Sequence, residues 1–460
     1  MSEVSLWFAR ALLPGGWAGE VRIRIADGRI AAVTTGKRKG AGDEAHSFGV
    51  PGLANLHSHA FQRALAGLTE TRGPTTDSFW TWRQRMYGFV ETIAPEDLEA
   101  IAAMAFVEML ESGFTRVGEF HYLHRDPKGA PYSDPAEMAA RVAAAADESG
   151  IALTLLPVFY AHSGFGGLAP SPSQRRFLSD RDFYARLFDG SRRALAALPD
   201  AVLGAAPHSL RAVTPAELSA LVDLAGPAPI HIHVAEQTKE VEDCIAWSGM
   251  RPVEWLQRHA PVDERWCLVH ATHVTETEIR ALAAAGAVAG LCPITEANLG
   301  DGLFPAETFL AAGGRFGVGS DSNVLIDAAE ELRTLEYGRR LADRRRNVLA
   351  RTEGDSTGAA LYRGALAGGA QALGSVCAIE TGAPADIVSL DAEHPALCQR
   401  TDDSLLDSWI FAARGGAVDC VWRRGAKIVA GGRHIRRDEA VRRYRAAMAR
   451  LAGRGGIAVI

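Results

Sequence analysis

The chain has 460 residues, 47% hydrophobic and 23% charged, and its 49 basic and 55 acidic side chains give a formal net charge of −6. This composition suits a soluble globular protein of roughly three domains at about 150 residues each, or one large α/β barrel with an appendage, and it excludes a chain disordered throughout. The acidic balance gives no electrostatic footprint for nucleic acid or an anionic membrane, and at first reading it argues against an anionic substrate too.

In chain order, the opening MSEVSLWFARALLPGG begins with an acid and is interrupted by Arg10, unlike a secretion signal. Residues 21–35 (VRIRIADGRIAAVTT) alternate apolar and polar side chains around Asp27-Gly28, which predicts a β-hairpin. Short, nearly continuous apolar runs follow at 50–57, 115–120, 152–159, 202–206, 229–234, 266–270, 287–291 and 315–319. Such runs suit parallel strands covered on both faces. The longest strongly apolar stretch, residues 151–161, has about half the length of a membrane-spanning helix.

Helical patterns lie between the runs. Thr214-Pro215-Ala216-Glu217 supplies an N-cap, a proline at the first position and a glutamate at the third, and Leu218, Leu221, Val222 and Ala225 then share one face. Asp134-Pro135-Ala136-Glu137 predicts the same kind of start before residues 138–146. Strands alternating with helices over about 325 residues predict an α/β fold, a (β/α)8 TIM-like barrel spanning residues 51–375. A doubly wound open sheet is the alternative, but no GxGxxG follows any strand. Further short strands at 385–390, 419–423 and 426–429 predict, with the N-terminal strands, a small composite β-sandwich built from residues 1–50 and 376–460. The arginine-rich stretch 339–351 and the Ala/Arg tail after Ala440 read as solvated helix faces. Cys244, Cys267, Cys292, Cys377, Cys398 and Cys420 are scattered without a CxxC pair, as reduced thiols in a cytoplasmic protein would be.

The chemistry concentrates at the predicted strand ends. His57-Ser58-His59 closes the first barrel strand, and residues i and i+2 face the same way. His233 ends the fifth strand in Ile-His-Ile-His-Val-Ala-Glu, His270 ends the sixth in Leu-Val-His-Ala-Thr-His, and Asp321 ends the eighth in Gly-Val-Gly-Ser-Asp. Four strand ends therefore aim histidines and an aspartate at the rim where barrel active sites lie. Nitrogen and carboxylate donors without thiolates suit a divalent metal, Zn²⁺ first, with Fe²⁺ and Mn²⁺ as alternatives. His231 shares the face of His233 one layer deeper and reads as a polar barrel-interior residue. His121, His124 and His273 are not separable from loop histidines, and Trp80 and Trp82 read as lid or interface packing.

The sequence resembles the amidohydrolase superfamily across the barrel and both flanks. His-x-His after the first strand, His-x-x-Glu after the fifth, His after the sixth and Asp after the eighth resemble its mononuclear deaminase branch. Ala205-Ala206-Pro207-His208 has no lysine where binuclear members carry one, so a single metal is favoured. Within the branch, Ala54-Asn55-Leu56-His57-Ser58-His59-Ala60-Phe61-Gln62-Arg63 and residues 292–302 (CPITEANLGDG) look like the members that deiminate N-formimino-L-glutamate to N-formyl-L-glutamate and ammonia in histidine degradation.

The resemblance implies that His57, His59, His233 and Asp321 hold the metal, which makes hydroxide available near neutral pH. It further implies that Asp321 takes the water's proton, that His270 orients the water, and that Glu236 shuttles protons to the formimino nitrogen. It places Gln62, Arg83, Tyr122, His208 and Arg211 around a small dicarboxylate substrate, and it implies a homodimer. A guanidinium fork is the natural partner of a carboxylate. Each of these residues also has a plainer reading: surface or supporting arginines, a packing tyrosine, a buried histidine bonded to backbone, or a glutamine that only orients a ligand. The competing functions are a mononuclear-zinc deaminase of a nucleobase, pterin or thioether nucleoside, and a catalytically silent scaffold. Nucleobase chemistry calls for stacking surfaces and edge-reading amides, and a scaffold calls for loss of a ligand or of the acid–base group, all of which are present.

Overall fold

The computed structural model describes residues 4–74 and 76–455. Among these, eight short parallel strands lie side by side in two arcs. The first arc runs Leu53–Ser58, Phe114–His121, Ala152–Phe159 and a fourth strand split into Val202–Leu203 and Ala206–Pro207. The second runs Ile230–Val234, Trp266–His270, Val288–Leu291 and Arg315–Val318. Parallel bridges Ala205–Ile230, Ser209–His233 and Ser58–Asp321 join the arcs, so the barrel closes as predicted. The continuous apolar runs are explained by burial on both faces, since most of these strands are buried at every position. Leu56, Cys267, Val269 and Val288 fill the interior, which Ala372 and Leu373 plug from below.

The fourth strand departs from the single run expected over 202–206. It breaks at Gly204, where a Cβ would stand 2.7 Å from the Pro229 carbonyl oxygen. Helix Pro215–Ala225 begins where predicted, with the Thr214 and Glu217 side chains capping each other's backbone N–H. The helix after Asp134, Glu137–Ser149, covers the expected residues 138–146, but Asp134 is not its N-cap: its carboxylate accepts from Ala136 N and residues 135–136 form a turn.

Both ends of the chain build one eight-stranded sheet, ordered Arg433–His434, Ala426–Ala430, Val418–Arg423, Ile387–Leu390, Glu44–Pro51, Val4–Leu13, Gly16–Ala26 and Arg29–Thr34. Its hairpin turns at Asp27 and Gly28 with φ of 53° and 78°, the left-handed pair that a tight hairpin requires. A separate apolar core including Phe8, Ile23, Ile387 and Trp422 fills it. Only Gly52 separates Glu44–Pro51 from the first barrel strand, which ties sheet and barrel together. The last helix, Arg437–Gly453, is not simply solvated. It packs Ala440 against Met104 and Val107 of helix Pro95–Ser112, and Arg443 and Arg450 pair with Glu99 and Asp97 of that helix. Residues 456–460 of the tail lie outside the described residues. Among the described residues no helix is long and apolar enough to cross a membrane.

Candidate active site and metal centre

The rims of the first and eighth strands are bonded to each other at the residues that matter. His59 N donates to Asp321 O at 2.9 Å, and Asp321 N donates to His57 O at 2.9 Å. Gly319 permits the approach, because a Cβ there would lie 2.8 Å from His57 N. His270 and Asp321 both adopt positive φ, 67° and 44°. Non-glycine residues rarely do so except where the surrounding structure enforces it, as at functional strand ends.

His57, His59, His233 and Asp321 converge in a buried group whose donor atoms all lie within 4.8 Å of one another. His57 Nε2 is 3.2 Å from His59 Nε2 and 3.0 Å from His233 Nε2, and His59 Nε2 is 3.2 Å from Asp321 Oδ1. His59 Nδ1 faces the Phe120 carbonyl at 2.9 Å, and His233 Nδ1 faces the His208 carbonyl at 3.0 Å. A carbonyl only accepts, so both Nδ1 atoms carry hydrogen and each Nε2 is turned toward the group. Burial lowers His57 to about 3 although Asp321 pulls the other way, and it holds His233 well below the usual histidine range, so these rings are neutral. Burial pushes the Asp321 carboxyl up, but His57 and His59 outweigh it and keep it ionised. Lone pairs and a carboxylate crowded this closely fit a divalent cation. Tetrahedral bonds of about 2.05 Å put ligand nitrogens about 3.3 Å apart.

A narrow cavity opens above this group. Gln62, Arg83, Tyr122, His208, Arg211, Glu236 and His270 all line it, with His59, His233 and Asp321 at its floor. Each site residue expected from the sequence is thus in one place, with His57 fully buried beneath. Glu236 Oε1 is 3.8 Å and Asp321 Oδ2 3.9 Å from His270 Nε2. Burial pushes Glu236 up to about 7, against the pull of His270 and Arg211. Burial opposes a charged His270, but Glu236, Glu296 and Asp321 outweigh it and raise the ring to about 10.

Gln62 Nε2 donates to the Tyr122 hydroxyl at 2.8 Å, and its Oε1 is buried without a partner. His208 Nδ1 lies 3.1 Å from Ser209 Oγ. Arg83 comes from helix Phe79–Val90, whose Phe79, Trp82, Arg83, Met86 and Tyr87 recur at helical spacing and face the cavity. Arg211 is buried and its Nε has no partner. Neither arginine joins an ion pair among the described residues. Both guanidinium carbons stand over Trp80, at 5.1 Å and 5.7 Å from its centroid, so this ring braces two cations.

His231 is an interior residue as expected, its Nε2 bonded to Ala372 O at 2.8 Å. His124 and His273 likewise bond backbone carbonyls. The sequence reading left two buried carboxylates without a role. Glu296 Oε1 accepts from Cys292 N at 2.9 Å and faces His270 Nδ1 at 3.2 Å, fixing the ring. Glu119 accepts from Ala60 N at 2.7 Å directly behind His59. Glu296 lies five residues beyond the seventh strand, and its partner His270 is 26 residues away, so the pairing is met only in space.

Residues 48–428 match the amidohydrolase family, and the chain belongs to it. Residues 6–47 match the model described as formimidoylglutamate deiminase HutF, N-terminal domain. The chain is 49% identical to the formimidoylglutamate deiminase of Pseudomonas aeruginosa, covering 96% of this chain and 98% of that protein. It is 29% identical to a 5-methylthioadenosine/S-adenosylhomocysteine deaminase of Natronomonas pharaonis, covering 96% and 94%. An amidohydrolase crystal structure from Brucella melitensis superposes with a TM-score of 0.95 at 57% identity, covering 98% of this chain and all of that one. The likeness to an adenosine deaminase from Xanthomonas campestris, with a TM-score of 0.80 at 24% identity over 98% of each chain, is one of fold.

Proposed function

We propose that the chain hydrolyses N-formimino-L-glutamate to N-formyl-L-glutamate and ammonia. The observation that carries this reading is the pair of ion-pair-free guanidinium groups, Arg83 and Arg211, above a His₃Asp group in one cavity. A substrate with two carboxylates satisfies both cations, whereas a neutral nucleobase leaves them unpaired. The identity to the P. aeruginosa formimidoylglutamate deiminase supports the same substrate.

His57, His59, His233 and Asp321 would hold one divalent ion, zinc by the chemistry of the donors. When bound, the ion acidifies water and polarises the amidine carbon. Asp321, with Oδ2 turned toward His270, accepts the proton of the attacking water. His270, braced by Glu296, holds its Nε2 toward the developing oxyanion. Glu236, with an affinity for protons near neutrality, gives its proton to the formimino nitrogen as the water adds and then carries the hydroxyl proton to the same nitrogen, so the C–N bond breaks with ammonia leaving as the formyl C=O forms, and the proton held by Asp321 restores Glu236. Gln62, Tyr122 and His208 supply neutral donors and acceptors around the glutamyl part. This reading takes residues 51–375 as the catalytic barrel and 1–50 with 376–460 as the composite sandwich. It also takes the enzyme as a cytoplasmic homodimer serving histidine breakdown, in line with the family resemblance.

Ammonia release from N-formimino-L-glutamate, measured on the zinc-loaded protein beside adenosine, guanine and 5-methylthioadenosine, tests the assignment. Turnover of the formimino acid alone is expected, and faster turnover of any of the other three overturns it.

A further inference from the structure

We propose that His46, Asp419 and Cys420 form a second divalent-cation site of the zinc class, on the composite sheet and outside the barrel. His46 comes from strand Glu44–Pro51, and Asp419 and Cys420 from Val418–Arg423. Strand Ile387–Leu390 runs between the two in the sheet, and His46 lies beyond its last pairing with Glu44–Pro51, at Phe48. The three side chains approach one another around that strand end, with their donor atoms all within 4.8 Å.

The distances leave room for an ion shared by the three side chains. His46 Nδ1 is 3.4 Å from Asp419 Oδ2, longer than the usual N–H···O hydrogen bond of about 2.7–3.2 Å. The Cys420 thiol donates to Asp419 Oδ2 at 3.4 Å, a hydrogen bond that thiolate ligation would replace. Metal bonds of about 2.05 Å to nitrogen and oxygen and about 2.3 Å to sulfur give tetrahedral edges of about 3.3–3.6 Å. The supporting contacts also fit. Glu44 Oε1 lies 2.7 Å from His46 Nε2 and is itself held by Lys427. That carboxylate fixes the hydrogen on Nε2 and leaves the Nδ1 lone pair facing Asp419, the usual arrangement behind a metal-bound histidine. Ser389 donates to Asp419 Oδ2 at 3.2 Å and accepts from Cys420 N at 2.9 Å, which holds both ligands in place. His46 and Asp419 stand on the wall of an open depression, so a fourth position faces solvent.

Burial pushes the Cys420 thiol up to about 11. The ion would pin an N-terminal strand to a C-terminal one across a sheet assembled from both ends of the chain. The plainer account is a protonated His46 bridging Glu44 and Asp419 without any metal.

Cobalt distinguishes the two. In the chelator-stripped protein reloaded with Co²⁺, Cys420 ligation gives a thiolate-to-metal charge-transfer band, which the sulfur-free barrel group cannot produce. The band is expected in the unmodified chain and lost in Cys420→Ser. Zinc titration should give two equivalents per chain in the unmodified protein and one in His46→Gln and in Cys420→Ser, with ammonia release unchanged. A wild-type Co²⁺ protein without the band overturns the proposal even if the variants misfold, as does a band that survives Cys420→Ser. Failure of the catalytic reading would alter ammonia release and leave the band in place.

Discussion

At the closed end of the barrel, Arg116 reaches Asp200 at 3.1 Å and Thr154 Oγ1 at 3.2 Å, while Arg423 shares Asp200 at 3.2 Å, pairs with Asp386 and donates to Gly150 O. These side chains are 4–10% exposed. At the open end, Arg211 is equally hidden and Arg83 half-hidden, yet neither joins an ion pair among the described residues. A buried cation with its carboxylate in place locks strands and sheet together. A buried cation without one waits for a carboxylate that arrives with the substrate. The fold puts the counter-ions in contact below, whereas above it Glu240 and Glu236 act on Arg211 only at longer range, and this asymmetry is also why a net charge of −6 said nothing about an anionic substrate.

The largest expected effect lies at the mouth. Glu236→Gln removes the group that moves protons to the leaving nitrogen, and turnover should fall about a thousandfold, within the range of general acid–base catalysis. Metal content by atomic absorption should not change, and a metal-free variant would make Glu236 a ligand. The counterpart below is Arg423→Met, which leaves Asp386 buried beside an apolar chain. Urea unfolding should show a loss of about 3–5 kcal/mol, with kcat/KM of the folded enzyme preserved. Arg211→Met should do the reverse. Stability should fall less than in Arg423→Met, because no carboxylate touches the guanidinium and Glu240 and Glu236 act on it only at longer range, and kcat/KM falls about a hundredfold with the loss of a charge-assisted contact. Equal destabilisation by the two arginine variants would erase the contrast.

The same arginine tunes the acid. Glu236 is pushed up to about 7 by burial and drawn down by His270 and Arg211. It must be protonated to act as an acid, so kcat/KM should decline as pH rises through about 7. Removing Arg211 removes one downward pull, and the decline should move to higher pH in Arg211→Met. A limb that stays in place, or moves lower, would assign that ionisation elsewhere.

How much of this could be read beforehand depended on the range of the interaction. Strands buried on both faces write continuous apolar runs, so the barrel was legible almost strand by strand, and the ligands stood out because His57, His59, His233, His270 and Asp321 each sit at a strand end. The break at Gly204 was not legible, since it depends on the backbone of Pro229 in the next strand. Glu296 was passed over because its partner His270 is 26 residues away, and nothing local marks a carboxylate as the brace of an imidazole. The tail arginines read as solvated because their partners, Glu99 and Asp97, lie hundreds of residues upstream. Periodicity reports burial, and pairing has to be seen in space.

The smallest expected effect tests whether pairing matters without burial. Lys239 and Asp243 pair at 2.8 Å on the helix that follows the fifth strand, but their side chains are 57% and 43% exposed. Water and salt screen such a pair, ordering two flexible side chains costs entropy, and a lysine placed four residues before an aspartate is the weaker helical orientation. Lys239→Ala should therefore change unfolding stability by no more than about 0.5 kcal/mol and leave kcat/KM alone. The loss at Arg423 should survive 1 M salt while any effect at Lys239 disappears in it. If Lys239→Ala cost as much as Arg423→Met, pairing alone would account for the closed end, and the case that the mouth is distinguished by buried charge left unpaired would fail.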